Sequence, residues 1–273
     1  MTTPTRIPLD PMIYLRALGR RPRGEVALAL VWGGLTHTAF AAGVLAMILA
    51  MWFGMSRSLG PFEGWAAVAA NALLLAQFPL VHSALLTPSG QRVLARLAPA
   101  HGRTLATTTY ALVASAQLLV LFAFWSPSGE VWRQPEGFAL WLHGALYGLS
   151  WLLLLKASFD AGAEVQSGFL GWSSLLRGAK PLFPDMPEGG LFRITRQPIY
   201  VSFALTLWTA PVWTPDQLAL ALAYTGYCVL GPLHKERRFA RLYGARFETY
   251  RARVPFWLPM PRRLPDAGRR KTP

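Results

Sequence analysis

Residues 198–231 read PIYVSFALTLWTAPVWTPDQLALALAYTGYCVLG. Two apolar pieces of about 14 to 16 residues each, short for a helix that must cross a bilayer core, flank Thr214-Pro215-Asp216. Proline beside an acidic residue marks a turn, so the stretch reads as a helical hairpin of two short or tilted helices. Upstream, residues 32–54, 65–87, 105–125 and 138–159 each supply the roughly 20 mostly apolar residues that one crossing needs. The expected architecture is all-α, a polytopic integral membrane protein of six crossings.

Composition agrees with that reading. Of 273 residues 53% are hydrophobic and 15% charged, against about 25% charged in soluble domains. Such a chain is not a disordered tail, a coiled coil or a disulfide-stapled secreted domain. Cys228 is the one cysteine, so neither an internal disulfide nor a cysteine-based metal site is expected. A net charge of +14 raises the question of nucleic acid, but in a chain this apolar it fits loops held against anionic lipid, with no nucleic acid partner. Residues 1–23 carry Arg6, Arg16, Arg20, Arg21 and Arg23 and no apolar region of a signal peptide, so the first apolar run is expected to remain in the membrane. Of the 27 Lys and Arg, all but Arg57 and Arg133 fall in alternate inter-span segments. That asymmetry puts both termini in the cytoplasm.

No repeat divides the chain. A basic segment, 1–31, precedes one membrane domain, 32–259, and a basic tail, 260–273, follows it. Two cytoplasmic stretches, 157–196 and 233–259, look organised. The first holds Pro181, Pro184, Pro187 and Gly189-Gly190, which interrupt any continuous helix. In the second, Phe239, Leu242, Tyr243, Phe247 and Tyr250 recur at spacings of three and four between arginines, the pattern of an amphipathic helix. Such a helix can lie on the membrane or cap a site at the inner ends of the spans.

Thr195-Arg196-Gln197-Pro198-Ile199-Tyr200 opens the hairpin; Lys235-Glu236-Arg237-Arg238-Phe239, Tyr243-Gly244, Tyr250 and Val254-Pro255 follow it. This resembles the C-terminal signature of the isoprenylcysteine carboxyl methyltransferase and phospholipid methyltransferase superfamily: Arg-His-Pro-x-Tyr-x-Gly, a hairpin, Glu-Glu-x-x-Leu, then Phe-Gly-x-x-Tyr-x-x-Tyr. His82-Ser83, Val131-Trp132 and the Thr214-Pro215 turn are similar to the membrane-bound methanethiol S-methyltransferases in particular. The resemblance implies a methyltransferase of a bacterial inner membrane, with S-adenosylmethionine bound by residues 191–259. Its acceptor is then a small thiol or a lipid-borne group. Arg196, Gln197, Pro198, Tyr200, Glu236 and Tyr250 are the implied cofactor positions, Arg196 also a catalytic one. Gln197 stands where the superfamily has His, Lys235 where it has the first Glu, and Ser202 where it has Gly. Lys235 replaces attraction for a sulfonium by repulsion.

Residue chemistry is compatible with these roles and with plainer ones. Arg196 can pair with a carboxylate or anchor a cytoplasmic loop; Glu236 can accept from a ligand or pair with a neighbouring arginine. Tyr200 is equally an interfacial aromatic. His82 and Ser83, near the inner end of the second span, are candidate substrate contacts, and His82 is a candidate base for a thiol. Hydrogen bonding between helices is the alternative for His82. Lys156, Asp160 and Glu164 share a helical face, as an ion-pair stripe or with Glu164 facing substrate. His37 reads as helix-packing glue, and His143 lies too far out to take part. Two other functions remain open: a non-catalytic membrane subunit retaining the fold, and a membrane reductase, for which no dinucleotide-binding Gly-rich turn is evident.

Overall fold

Four helices carry the apolar runs, each placed within a turn of its expected start except the first, which begins earlier. They are α2 (Arg23–Trp52), α3 (Gly64–Leu85), α5 (Gly102–Ala123) and α6 (Gly137–Asp160), each long and apolar enough to cross a membrane. The computed structural model describes residues 10–98 and 100–258, and among these the elements are helical. The basic tail, 260–273, lies outside the described residues. Short helices α1 (Pro11–Arg20), α4 (Pro88–Leu97), α7 (Ala163–Gln166) and α8 (Phe169–Arg177) fill the connections. The hairpin is α9 (Pro198–Trp208) and α10 (Pro215–Tyr243), followed by α11 (Ala245–Arg253). Three starts share one device: the side chains of Asp10, Thr87 and Thr214 accept from backbone N–H groups of the first turn, with proline next in sequence.

Two ends are distinguishable. At the cation-poor end, Trp125 Nε1 donates to Asp216 (3.0 Å), as does the Ser128 N–H (2.9 Å). Arg133 and Trp213 pair through their backbones, and Thr214 donates to the Gly54 carbonyl. Trp65, Phe138 and Trp141, at 80% exposure or more, begin α3 and α6 at this end, as a lipid-interface belt requires. The protein is an integral membrane protein.

The hairpin is asymmetric. Its first arm has 11 helical residues and is followed by a bent, non-helical stretch over 209–214. Its second arm continues through Gly231 to Tyr243, 29 residues in all. The expected amphipathic helix over 233–259 is therefore corrected: its first part ends α10 and its second is α11. Gly244, at φ +51° and ψ −127°, makes the bend in a conformation that side chains disfavour. Phe239 and Phe247, 6.1 Å apart, face each other across it. Pro232 lies inside α10 without breaking it. It removes the N–H that would bond the Cys228 carbonyl, and Trp257 Nε1 donates to that carbonyl instead (3.1 Å).

The bundle has two halves. α2 and α5 pack so closely that a Cβ on Gly43 would meet the Ser115 carbonyl at 2.9 Å; α8 seals them, burying Leu170, Leu175 and Leu176. His37 belongs to this half and accepts from Trp172 Nε1 of α8 (3.0 Å). The other half is α6, α9 and α10. Near the cation-poor end a shared core of Met47, Met51, Phe122, Tyr147, Leu207 and Leu220 joins them, and Tyr147 donates to the Ile48 carbonyl at 2.9 Å. Toward the cation-rich end they separate.

Candidate active site

The motif before α9 is a buried latch. Arg196, 6% exposed, donates through Nε to Glu236 Oε1 (2.7 Å) and through Nη2 to Oε2 (3.1 Å), a bidentate pair. Its Nη1 donates to the carbonyls of Arg251 (3.1 Å) and Val254 (2.6 Å). Thr195 Oγ1 donates to the Phe256 and Trp257 carbonyls at 3.2 and 2.9 Å, and the Arg196 N–H to Pro255 at 2.9 Å. The strap 254–257 is thus tied to the start of α9. Gln197 Nε2 donates to Glu236 (3.0 Å) and Tyr250 to the Phe192 carbonyl (2.7 Å). The space among these residues is about 10 Å³, room for about one water.

Beside the latch, where the halves separate, lies a cavity of about 740 Å³, within the range of about 300–1,000 Å³ typical of ligand sites. Its depth is apolar, lined by Phe40, Met47, Leu118 and Phe203; its mouth carries Gln166, Asp185, Lys235 and Arg238. His82 lines it, between the tilted rings of Phe78 (4.7 Å) and Tyr110 (4.8 Å). The His82 Nδ1 is enclosed without a hydrogen-bond partner. Tyr110, Tyr200 and Tyr227 line the same space. Residues past Gly231 lie beyond the apolar part of α10. There burial lowers the Lys235 ammonium to about 8, against the opposing charge of Glu236. The Lys235 Nζ stands 5.4 Å from the ring centroids of both Phe192 and Phe239.

The implied residues therefore divide. Arg196, Gln197, Glu236 and Tyr250 form the closed latch; Pro198 begins α9; Tyr200 and His82 reach the cavity. As to Arg196 being catalytic, four of its N–H groups are bonded within the protein and its guanidinium is not in the cavity wall. Ser83, exposed, lies beside Tyr227. Glu164 does not share a face with Lys156 and Asp160: α6 ends at Asp160, and Gly162 at φ +92° turns the chain before α7. Asp160 pairs with Lys156 and accepts from the Leu191 N–H at 2.8 Å. His143 bonds its own helix near the cation-poor end, away from the cavity. Sequence reasoning missed Tyr110 and Tyr227, whose only signal is a phenol within an otherwise apolar span.

The closed latch has room for about one water, whereas the cavity has the size and the aromatic phenols to take a molecule as large as S-adenosylmethionine. No protein-family profile matches the chain, and no solved structure does. Curated relatives do. Methanethiol S-methyltransferase 2 of Bradyrhizobium diazoefficiens is 31% identical over 71% of this chain and 73% of its own length. The methanethiol S-methyltransferase of Mycobacterium tuberculosis is 31% identical over 72% and 80%. Nurim of Xenopus laevis is 30% identical over 44% and 46%. By kinship this is a membrane methyltransferase: the chain belongs to the methanethiol S-methyltransferase family.

Proposed function

We propose that the protein methylates a thiol within the cavity between its two halves, using S-adenosylmethionine. The observation that carries this is His82, an imidazole lining a largely apolar chamber large enough for a donor and an acceptor together. Bound there, S-adenosylmethionine supplies an electrophilic methyl group on a positive sulfonium. Tyr110, Tyr200 and Tyr227 offer π-faces and phenolic oxygens to such a cation. His82 takes the thiol proton, since the thiolate is the nucleophile, and the apolar lining keeps water from both groups. Arg196, Glu236 and Tyr250 act indirectly, fixing the start of α9 and with it Tyr200. The acceptor is a small thiol or a thiol on an apolar body, which the deep wall of Phe40, Met47 and Leu118 accommodates. The reading includes a bacterial inner membrane, cytoplasmic termini and anionic lipid at the cation-rich end.

Purified protein is incubated with methyl-labelled S-adenosylmethionine and a thiol series, and products are followed by mass spectrometry. Labelled thioether is expected from wild type. Absence of product with every thiol, together with absence of donor binding by calorimetry, overturns the reading. A second reading, a non-catalytic membrane protein retaining the fold, draws support from the closed latch and from the likeness to Nurim, whose name states no activity.

A further inference from the structure

Lys235 and Arg238 lie three residues apart on α10 and so share a helical face; both line the large cavity at its mouth. Neither has a carboxylate partner among the described residues. Lys235 donates only to the neutral Gln197 Oε1 (3.3 Å). Glu236, next in sequence, faces the latch, where Arg196 and Gln197 take both its oxygens. Arg238 is exposed, with its guanidinium 6.0 Å from the Phe239 ring. The one acid lining the cavity is Asp185. Its Oδ2 accepts from Arg246 (2.6 Å) and its Oδ1 from the Met186 N–H (2.7 Å). Two cations thus border a largely apolar chamber whose one lining acid among the described residues is already bonded elsewhere, and the buried Lys235 charge, only partly offset by Glu236, gains from an anion there. Tyr200 and Tyr227 add hydroxyl donors to the same wall.

We infer that Lys235 and Arg238 form an anion subsite that holds a carboxylate at the cavity mouth. Lysine supplies a point charge and arginine a fork. The inference rests on the cavity being the reaction chamber proposed above. It gives the lysine at position 235 a purpose: the charge that would repel a sulfonium attracts an acid instead, and orients the molecule bearing it. That carboxylate has two sources, the amino-acid end of the methyl donor or the acid group of an amphiphilic thiol whose chain fills the apolar depth.

Binding is measured by calorimetry on the full chain in detergent, for wild type, Lys235→Met and Arg238→Gln. The exposed position of Arg238 keeps the test alive if Lys235→Met misfolds, and Lys235→Arg serves as conservative rescue. The probes are S-adenosylhomocysteine and its decarboxylated analogue, then 11-mercaptoundecanoate and undecanethiol. Loss of one charge-assisted bond weakens the acid by about 10- to 150-fold and does not weaken the counterpart that lacks the carboxylate. If S-adenosylhomocysteine alone shows that split, the donor supplies the carboxylate; if the mercapto acid alone does, the acceptor supplies it. Equal losses for the probes with and without the carboxylate, or none in either pair, overturn the subsite. Because binding is read without turnover, a protein that discriminates the acids yet transfers no methyl group defeats the methyltransferase reading and leaves the subsite standing.

Discussion

Arg196→Met decides whether the guanidinium holds the fold or the ligand. Of the five N–H groups an arginine carries, the structure commits Nε, one on Nη2 and two on Nη1 to Glu236, Arg251 and Val254. Both members of the pair are shielded, at 6% and 12% side-chain exposure. Removing one partner of a buried pair costs about 3–5 kcal/mol, because the other charge is left uncompensated. Here Glu236 keeps its bond from Gln197 and the neighbouring Lys235 charge, so the lower end, about 3 kcal/mol, is expected. At about 2–4 °C per kcal/mol for domains of comparable size, melting should fall by about 6–12 °C. Glu236→Gln should lose a similar amount. The double variant Arg196→Met/Glu236→Leu should lose less than the sum, since it buries no orphan charge. Thermal unfolding in detergent, read as the surviving monomer peak on size exclusion, measures all three. If Arg196→Met melts with wild type while donor affinity drops at least tenfold, Arg196 is a ligand contact and the latch account is wrong.

His82→Asn should lower turnover by about 100-fold or more, the usual worth of a general base, with donor affinity retained; unchanged turnover removes His82 from the chemistry. Trp257→Phe should cost about 1–2 kcal/mol by orphaning the Cys228 carbonyl, but nearly nothing in a Pro232→Ala background where α10 can bond that carbonyl itself. Equal losses in both backgrounds, read by thermal shift, refute the link. The pH dependence follows from Lys235. Between pH 8 and 10.5 the unfolded chain holds a proton that the folded lysine has released, so stability rises with pH there. Lys235→Met should flatten that rise, and a parallel slope in the variant assigns it to other groups.

The long spans were legible because a bilayer forces one solution: all backbone groups bonded within the segment, and about 20 apolar side chains in a row. The hairpin was legible as a hairpin, since Thr214-Pro215-Asp216 is both turn and helix start. Its lengths were not. Pro232 and Gly231 look like an end to α10, and the distant Trp257 indole takes up the carbonyl that Pro232 leaves free. Periodicity also joined Phe239 to Tyr250 in one helix, because the facing residues of a bent pair keep spacings that a straight helix would have; Gly244 alone carries the sign of the bend. At the site, the motif located Arg196 and Glu236 correctly beside each other. It could not say that their charges satisfy one another. Which donors face a ligand depends on which are already bonded, and that is fixed by the strap 254–257, some 60 residues on.

The two ends of the bundle are held by different forces, and this bears on how a ligand enters. At the cation-poor end, buried or half-buried bonds from Trp125, Ser128 and Thr214 join loops of both halves over the shared core. Opening it would strand polar groups away from water, at about 1–3 kcal/mol each. At the cation-rich end the loop over the cavity mouth, 181–190, is tied down by Arg246 to Asp185 and Glu188, pairs that are 30–48% exposed. Exposed pairs contribute about 0–1 kcal/mol. Arg246 holds the Asp185 carboxyl below its ordinary range, so mild acid does not release the tie. The ties across the mouth are therefore weaker than those at the far end. On the proposed function, a donor arriving from water and an acceptor arriving from the bilayer surface would both meet the chamber lined by Lys235, Arg238, Tyr200 and His82.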